Sequence, residues 1–444
     1  YRLPLKVILF AANLNAVAAV QHLLGLAMAV ALYLVLLRRG CPVWLAALAI
    51  APVLLDAYQL QIEQTVMPDS WFEALIVAGL VLLLWRPQPP LRMLVLGGLL
   101  LGSCATVRQV GEILVLPAVC YAVITARGWR RAAHAGVLAV AFALPIIGYS
   151  SLSLALTGHF WLSHSGVTTT YGRTAAAADC AELRLPSGER ALCPTPRQQA
   201  SGPDYLEHSP HSPLRPYYAK LPSSQASRLV AGFSREVITQ QPLRVAAAVG
   251  RDAVKLFALT RDGSPGDTPI SRWQFSDDYP VYPPLASRQV IETAGARLGG
   301  GRPVADRPLA VFLRGYQLRG GYTPGPLMAL AALAGLAGSG IAVGARAGRR
   351  RPAAAAGISA GTSALTPDGW IGDEADTPAD GRDTATACFL IFTSALAVLL
   401  MADLFQFSWR YQLPALVTLP PAGALGLAAI VATVRHHRGT PSAA

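Results

Sequence analysis

Acidic side chains stand between long apolar runs in the segment QIEQTVMPDSWF, which covers residues 61–72. Glu63 and Asp69 lie inside this segment, and Asp56 precedes it. Ionised carboxylates are costly next to hydrocarbon, so such residues mark candidate functional sites. A carboxylate can act as a general base toward a hydroxyl or an amine, or it can orient that group. Glu63 and Asp69 are therefore candidate catalytic residues.

Arginines occupy similar positions elsewhere in the chain. Arg108 and Glu112 lie in CATVRQVGEIL, between two apolar runs, and Asp403 and Arg410 bracket LFQFSW. The planar guanidinium can hold a phosphate through two parallel hydrogen bonds, so Arg108, Glu112 and Arg410 are candidate substrate-binding residues. For Arg108, an ion pair with Glu112 four residues later is an equal alternative. Each residue alone could be an interfacial anchor, but the set favours one shared polar cavity.

The composition is that of a membrane protein. The chain has 444 residues, a mean hydropathy of +0.40 and 14% charged residues, whereas soluble domains carry about 25%. The net charge of +12 comes mainly from arginine, because Lys6, Lys220 and Lys255 are the only lysines. The arginines cluster at the ends of apolar runs, which suits membrane topology better than a nucleic-acid surface, and we expect no nucleic-acid partner.

A bilayer core needs about 20 apolar residues per helix. The fold class that we predict is therefore an all-α polytopic membrane protein, with about nine transmembrane helices and one large extracytoplasmic insert. The expected spans lie near residues 14–37, 42–57, 71–86, 92–107, 110–126, 132–156, 325–345, 386–404 and 413–434.

Arginine asymmetry predicts the orientation of these spans. Arg108 and Arg410 occupy short loops on one side, whereas thirteen arginines near the ends of the spans occupy the opposite side. The positive-inside rule makes the arginine-rich side cytoplasmic and places residues 157–324 outside a plasma membrane. The cytoplasmic set is Arg38, Arg39, Arg86, Arg92, Arg127, Arg130, Arg131, Arg346, Arg349, Arg350, Arg351, Arg435 and Arg438.

Three regions follow from this topology. Residues 1–156 form the N-terminal transmembrane helices, 157–324 an extracytoplasmic loop domain, and 325–444 the C-terminal transmembrane helices. A cytoplasmic loop near 350–385 is rich in small and polar residues, and we expect it to be disordered.

Two cysteines fall in the outer region. Cys180 and Cys193 are separated by twelve residues in DCAELRLPSGERALCP, which in an oxidising compartment predicts a disulfide. No CxxC or HxxxH motif accompanies them, so a zinc site is less favoured. We predict no metal site.

Several segments resemble lipid-phosphate-dependent glycosyltransferases of the GT-C superfamily, near the protein O-mannosyltransferases and aminoarabinose transferases and closest to actinobacterial members. They are AAVQHLLGLAMAVALYLVLLRRG, LLDAYQLQIEQTVMPDSWFEALIVAGLVLLLWR, GLLLGSCATVRQVGEILVLPAVCY and SWRYQLPALVTLPPAG. They occur in the family's order and cover most of 14–160 and the end of the chain. No single motif is highly specific, so the likeness rests on order and topology.

The resemblance implies a helical membrane body that passes a sugar from a polyprenyl-phosphate donor to an acceptor. PDSWF matches the family's acidic segment, which favours Asp69 over Glu63 as an acidic site residue. Arg108 and Gly111 match an R-x-x-G segment, which makes Arg108 the candidate phosphate contact. A late RY-x-x-P segment matches Arg410 and Tyr411 and adds Tyr411 to the candidate substrate-binding residues.

The family's principal catalytic carboxylate lies in a first outer loop. We expect its equivalent upstream of Tyr1, so the sequence resembles an N-terminally truncated member. The expected partners are a polyprenyl-phosphate sugar donor, membrane lipids and an acceptor that is a cell-envelope glycan, a lipid or a protein. The sequence assigns no cofactor and leaves a divalent cation open.

Two other classes of function remain open. A lipid or solute transporter or flippase tends to contain paired repeats and ionisable residues near the midplane, and we find no repeat in this sequence. A non-catalytic membrane scaffold would use the outer region to bind a partner. A sugar-transfer product would favour the enzyme over both.

Overall fold

Helices and turns make up the folded chain. The computed structural model describes residues 2–163, 166–277, 293, 296–298, 305–348 and 381–439, and these ranges contain no β-strand. Most of the loop expected near 350–385 lies outside the described residues. Its last part is helical rather than disordered, because a long helix begins at Gly381.

The first part of the chain forms eight helices. A 3-10 turn at Gln109–Leu114 separates the sixth from the seventh. The bounds are α1 Arg2–Ala11, α2 Leu14–Arg38, α3 Val43–Leu55, α4 Ala57–Gln64, α5 Asp69–Leu84, α6 Leu91–Val107, α7 Val115–Thr125 and α8 Arg130–Thr157.

Shorter helices follow α8, and three long helices or helical segments complete the described chain. The shorter ones are α9 Gly166–Ala177, α10 Pro196–Ala200, α11 Gly202–His208, α12 Arg215–Lys220, α13 Ser223–Gln240, α14 Pro242–Ala253 and α15 Arg307–Leu318. The long ones are α16 Gly325–Gly348, α17 Gly381–Phe405 and α18 Leu413–Gly439.

Within the described ranges, five helical segments are long and apolar enough to cross a membrane, which supports an all-α membrane protein. They are Leu14–Arg38, Arg130–Thr157, Gly325–Ala345, Gly381–Phe405 and Trp409–Arg435. The pair α3 and α4, bent by 48°, would add a sixth if it forms one span. Helices occur at all nine expected positions, but α5, α6 and α7 have only 16, 17 and 11 residues. The count of nine spans stays a prediction.

Small residues allow the long helices to pack closely. A Cβ atom on Gly102 of α6 would lie 2.0 Å from the backbone oxygen of Phe142 in α8. A Cβ atom on Gly426 of α18 would lie 2.1 Å from the backbone oxygen of Ala334 in α16. Backbones approach this closely at helix interfaces in membranes, where packing rather than the hydrophobic effect holds helices together.

Several arginines near the ends of the long helices meet at one end of the bundle, which we call the arginine-rich end. Arg39 follows α2 and donates hydrogen bonds to the backbone oxygens of Leu84 and Arg86, each at 2.7 Å. Thr384 in the first turn of α17 donates to the backbone oxygen of Arg39 at 2.7 Å. The ends of α2 and α5 and the start of α17 therefore meet there. The start of α5 lies at the opposite end.

The region between α8 and α16 has its own core. Tyr171, Leu206, Val230 and Phe233 are fully buried, and the rings of Tyr171 and Phe233 lie 5.4 Å apart. Cys180 and Cys193 form a disulfide, as predicted, with Cα atoms 6.0 Å apart. The bridge closes a loop against this core and stabilises it chiefly by restricting the unfolded chain.

Candidate functional site

A buried carboxylate joins two arginines at the opposite end of the bundle. Asp69, in the first turn of α5, is 0% exposed. Its Oδ1 accepts a hydrogen bond from Nη1 of Arg108. Its Oδ2 accepts from Nε and Nη2 of Arg410, at 2.9 and 2.6 Å. Both oxygens of Asp69 are thus engaged, and this carboxylate holds the two guanidinium groups side by side.

Breaks in the helices bring these residues together. The helix α6 ends at Val107, and Arg108 is extended, with φ −142° and ψ 126°. A Cβ atom on Gly111 would lie 2.7 Å from the backbone of Cys104 and Ala105, so only glycine allows the chain to fold back this tightly. Arg410 lies in a second 3-10 turn, Trp409–Gln412, between α17 and α18. At these two breaks the backbone departs from α-helical geometry, and the side chains of Arg108 and Arg410 reach Asp69.

Aromatic rings flank both guanidinium groups. The guanidinium carbon of Arg108 lies 4.5 Å from the ring centre of Tyr411 and 5.7 Å from that of Phe72. The guanidinium carbon of Arg410 lies 5.2 Å from the ring centre of Trp273. Cation–π contacts of this kind orient the arginines without using their N–H donors. Donors therefore remain for a ligand.

The two arginines and Asp69 can bind an anion. The side chains of Arg108 and Arg410 are 14% and 15% exposed, so a ligand can reach both guanidinium groups. The three charges sum to +1, and a guanidinium carries five N–H donors. Asp69 occupies one donor of Arg108 and two of Arg410. Adjacent arginines with spare donors are suited to a phosphate or diphosphate group.

An indole beside the arginines has a donor without a partner. Nε1 of Trp273 is buried and has no hydrogen-bond partner among the described residues. Buried donors are rarely unpaired in folded proteins. A ligand acceptor near Arg410 would satisfy this group.

A second polar network surrounds Glu63. His22 Nδ1 lies 2.9 Å from Oε2 of Glu63, and Nε2 of Gln59 donates to Oε1 of Glu63 at 3.1 Å. The same Gln59 nitrogen donates to Oε2 of Glu73 at 2.8 Å. A Cβ atom on Gly25 would lie 2.3 Å from Oε1 of Glu63, so the glycine makes room for this carboxylate. Glu63 is thus held next to the cluster around Asp69.

The structure brings together four of the residues singled out in the sequence: Asp69, Arg108, Arg410 and Tyr411. Glu63 lies in the neighbouring network instead. Arg108 pairs with Asp69 rather than with Glu112, and Glu112 makes no ion pair within the described part of the chain. No ion pair among the described residues therefore links Glu112 to Arg108, Asp69 or Arg410, and its place in the site stays a prediction.

Sequence reasoning missed several polar residues of these networks. Glu73 lies one helical turn after Asp69, so the four-residue spacing could have revealed it. His22 and Gln59 lie inside apolar stretches, where a polar residue is itself a signal. Trp273 could not have been found, because nothing local links it to Arg410.

Another buried ion pair connects the region between α8 and α16 to the helices of the bundle. Arg261 donates hydrogen bonds to both carboxylate oxygens of Asp56, at 3.1 and 2.6 Å. Its guanidinium carbon also lies 5.4 Å from the ring centre of Trp409, on which it stacks. Asp56 also accepts from the backbone nitrogens of Tyr58, at 3.0 Å, and Thr323, at 2.7 Å. Because Asp56 is saturated, its role is to hold the region before α16 next to the site.

Metal ligands are not gathered in the described ranges. There, no group of three or more histidine, cysteine, aspartate or glutamate side chains is placed to hold a metal ion. A divalent cation, which the sequence left open, has no assigned ligands.

Comparison of the chain with known protein families, with curated proteins and with solved structures found no match.

Proposed function

We propose that the protein is a glycosyltransferase of the plasma membrane. It transfers a sugar from a polyprenyl-phosphate donor to an acceptor at the outer face. The observation that carries the proposal is the pair Arg108 and Arg410, held side by side by the buried Asp69 at one end of the bundle. The resemblance to GT-C glycosyltransferases supplies the substrate class.

The orientation of the bundle supports an outer site. The arginine-rich end, which includes Arg39, lies opposite the cluster around Asp69. In membrane proteins, the end of the bundle that is rich in arginine and lysine usually faces the cytoplasm. The cluster and residues 157–324 would then lie outside. The disulfide between Cys180 and Cys193 agrees with this orientation, because the space outside the cytoplasm is oxidising and preserves disulfides.

The membrane-facing surface offers space for a lipid tail. An apolar groove of about 590 Å³ lies between α3, α16 and α18, and Asp56 is among the residues that line it. Asp56 pairs with Arg261, which stacks on Trp409 directly before Arg410. A polyprenyl chain in the groove would therefore have its phosphate close to the arginines.

In the proposed reaction, the bond between the anomeric carbon and the donor phosphate breaks, and the electron pair leaves on the phosphate oxygen. Arg108 and Arg410 stabilise the charge that develops on this leaving group. The acceptor oxygen or nitrogen forms the new bond to the anomeric carbon, and its proton passes to a carboxylate base, as the resemblance implies. Asp69 is a positioning residue, because both of its oxygens are already bound to arginine.

Sugar transfer by membranes that contain the full-length protein tests this proposal. We expect Arg108→Gln and Arg410→Gln each to lower kcat/KM by about 100-fold, because each removes charge stabilisation of the leaving group. Arg272→Gln is the matched control, since Arg272 is 46% exposed and pairs with Asp204 in the outer region. Wild-type transfer by both site variants would refute the assignment. Substrate uptake without any glycosylated product would instead favour a transporter.

A further inference from the structure

A polar cavity lies at the arginine-rich end, far along the bundle from Asp69. Its volume is about 200 Å³, and residues from the ends of α7, α8, α16 and α17 line it together with Arg39. A water molecule occupies about 30 Å³ of liquid, so the cavity is large enough for a phosphate group and several waters. Within the part of the chain that the structure describes, the charged lining residues are Arg39, Arg127, Arg131, Arg382 and Asp383.

The charge of this cavity favours an anion. Among the described residues, four arginines and one aspartate line it, and together they carry a formal charge of +3. Arg39 is only 3% exposed and is fixed by the backbone oxygens of Leu84 and Arg86. Its Nε and Nη2 make these bonds, so its guanidinium is held in place before any ligand arrives. A cation already ordered and partly desolvated binds a phosphate with little further loss of entropy.

Two helix starts add to the positive potential. The helix α8 begins at Arg130 and α17 begins at Gly381, and Arg131, Arg382 and Asp383 of these first turns line the cavity. The N-terminus of a long helix carries about half a positive charge. These dipoles and the arginines therefore act on the same space.

Topology alone does not require this convergence. Arg38, Arg92 and Arg130 belong to the same end of the bundle but do not line the cavity. Dispersed arginines are sufficient for the positive-inside effect. Arginines that converge on one cavity indicate a ligand.

The surroundings of the cavity place it at the level of lipid headgroups. Trp129 directly precedes α8 and is 79% exposed, and Trp85 directly follows α5 and stacks under Arg38, with 5.0 Å from the guanidinium carbon to the ring centre. Exposed tryptophans at helix ends are typical of the membrane–water interface. Basic pockets between helices at this depth bind the headgroups of anionic lipids.

We propose that this cavity binds the phosphate group of an anionic phospholipid from the leaflet at the arginine-rich end. Arg127, Arg131 and Arg382 contact the phosphate oxygens, and the preordered Arg39 closes the cavity from the protein side. The inference does not depend on the proposed sugar transfer, because it concerns the other end of the bundle.

Lipid-dependent thermal stability tests the inference. The full chain is purified in a neutral detergent, and Tm is followed as phosphatidylglycerol, phosphatidylcholine or inorganic phosphate is added. We expect a saturable rise in Tm with phosphatidylglycerol, because a ligand that binds the folded state stabilises it. Arg127→Gln and Arg131→Gln should each weaken the apparent affinity about tenfold, the effect of losing one charged hydrogen bond.

Arg130→Gln is the matched control, because Arg130 adjoins Arg131 but does not line the cavity. The apparent affinity of the Arg130→Gln protein for phosphatidylglycerol should stay within about twofold of wild type, because an exposed charge contributes little. Each variant is compared with its own lipid-free Tm, since Arg131 also donates to the backbone oxygen of Ala126 at 3.2 Å. The inference is overturned by equal weakening in Arg130→Gln, by equal stabilisation with phosphatidylcholine, or by inorganic phosphate replacing the lipid.

Discussion

Asp69→Asn is expected to lower sugar transfer at least about 100-fold, as misplacing a reacting group does. The substitution keeps the shape of the side chain but removes the charge that holds Arg108 and Arg410 together. Two like charges would then remain next to each other and would repel. The arginines would separate, and the phosphate would lose its paired contacts.

The same variant should lose about 3–5 kcal/mol of stability, because removing one partner of a buried ion pair leaves the other uncompensated. Thermal unfolding in detergent measures this loss. Glu112→Gln removes a carboxylate from the same end of the bundle but breaks no ion pair in the described chain, and its stability should change by less than about 0.5 kcal/mol. An Asp69→Asn protein with wild-type Tm and transfer would show that Asp69 does not organise the arginines.

Arg261→Met is expected to destabilise the protein by about 3–5 kcal/mol, by the same penalty for an unpaired buried charge. The side chain of Asp56 is 0% exposed and would keep its charge without its guanidinium partner. The contact between the region that precedes α16 and the start of α4 would weaken, and Trp409 would lose the guanidinium that stacks on it.

A double-mutant cycle distinguishes this pairing from a general packing defect. Asp56→Asn with Arg261→Met should be less destabilised than Arg261→Met alone, because the double variant leaves no buried charge. Arg272→Gln is again the control, since its exposed pair with Asp204 spans 3.5 Å and should contribute less than about 1 kcal/mol. Additive effects at Asp56 and Arg261 would contradict the pairing.

The positions of the helices could be predicted because burial in lipid demands long apolar runs. Each expected span coincides with a helix, as α2 and α8 illustrate. The bend of 48° between α3 and α4 was not predicted. It depends on Asp56, whose carboxylate caps α4 through the backbone nitrogen of Tyr58, and apolar content carries no information about such a cap.

The candidate site was predicted in part, since polar residues beside apolar runs stand out in a sequence. Asp69, Arg108 and Arg410 were found in this way, but their pairing was not. Asp69 is 39 residues from Arg108 and 341 from Arg410, so no local spacing connects them. The alternative pair of Arg108 with Glu112 presumes a continuous helix, whereas the helix ends at Val107.

Binding of polyprenyl phosphate tests the central claim most directly. The affinity of the purified full chain for polyprenyl phosphate is compared with that for the corresponding polyprenol, which has the same tail and no phosphate. Two charged hydrogen-bonding groups predict a preference of about 100-fold or more for the phosphate. Arg108→Gln with Arg410→Gln should abolish that preference and leave polyprenol binding unchanged. Equal affinity of the wild-type protein for both lipids would contradict the proposed role of the two arginines.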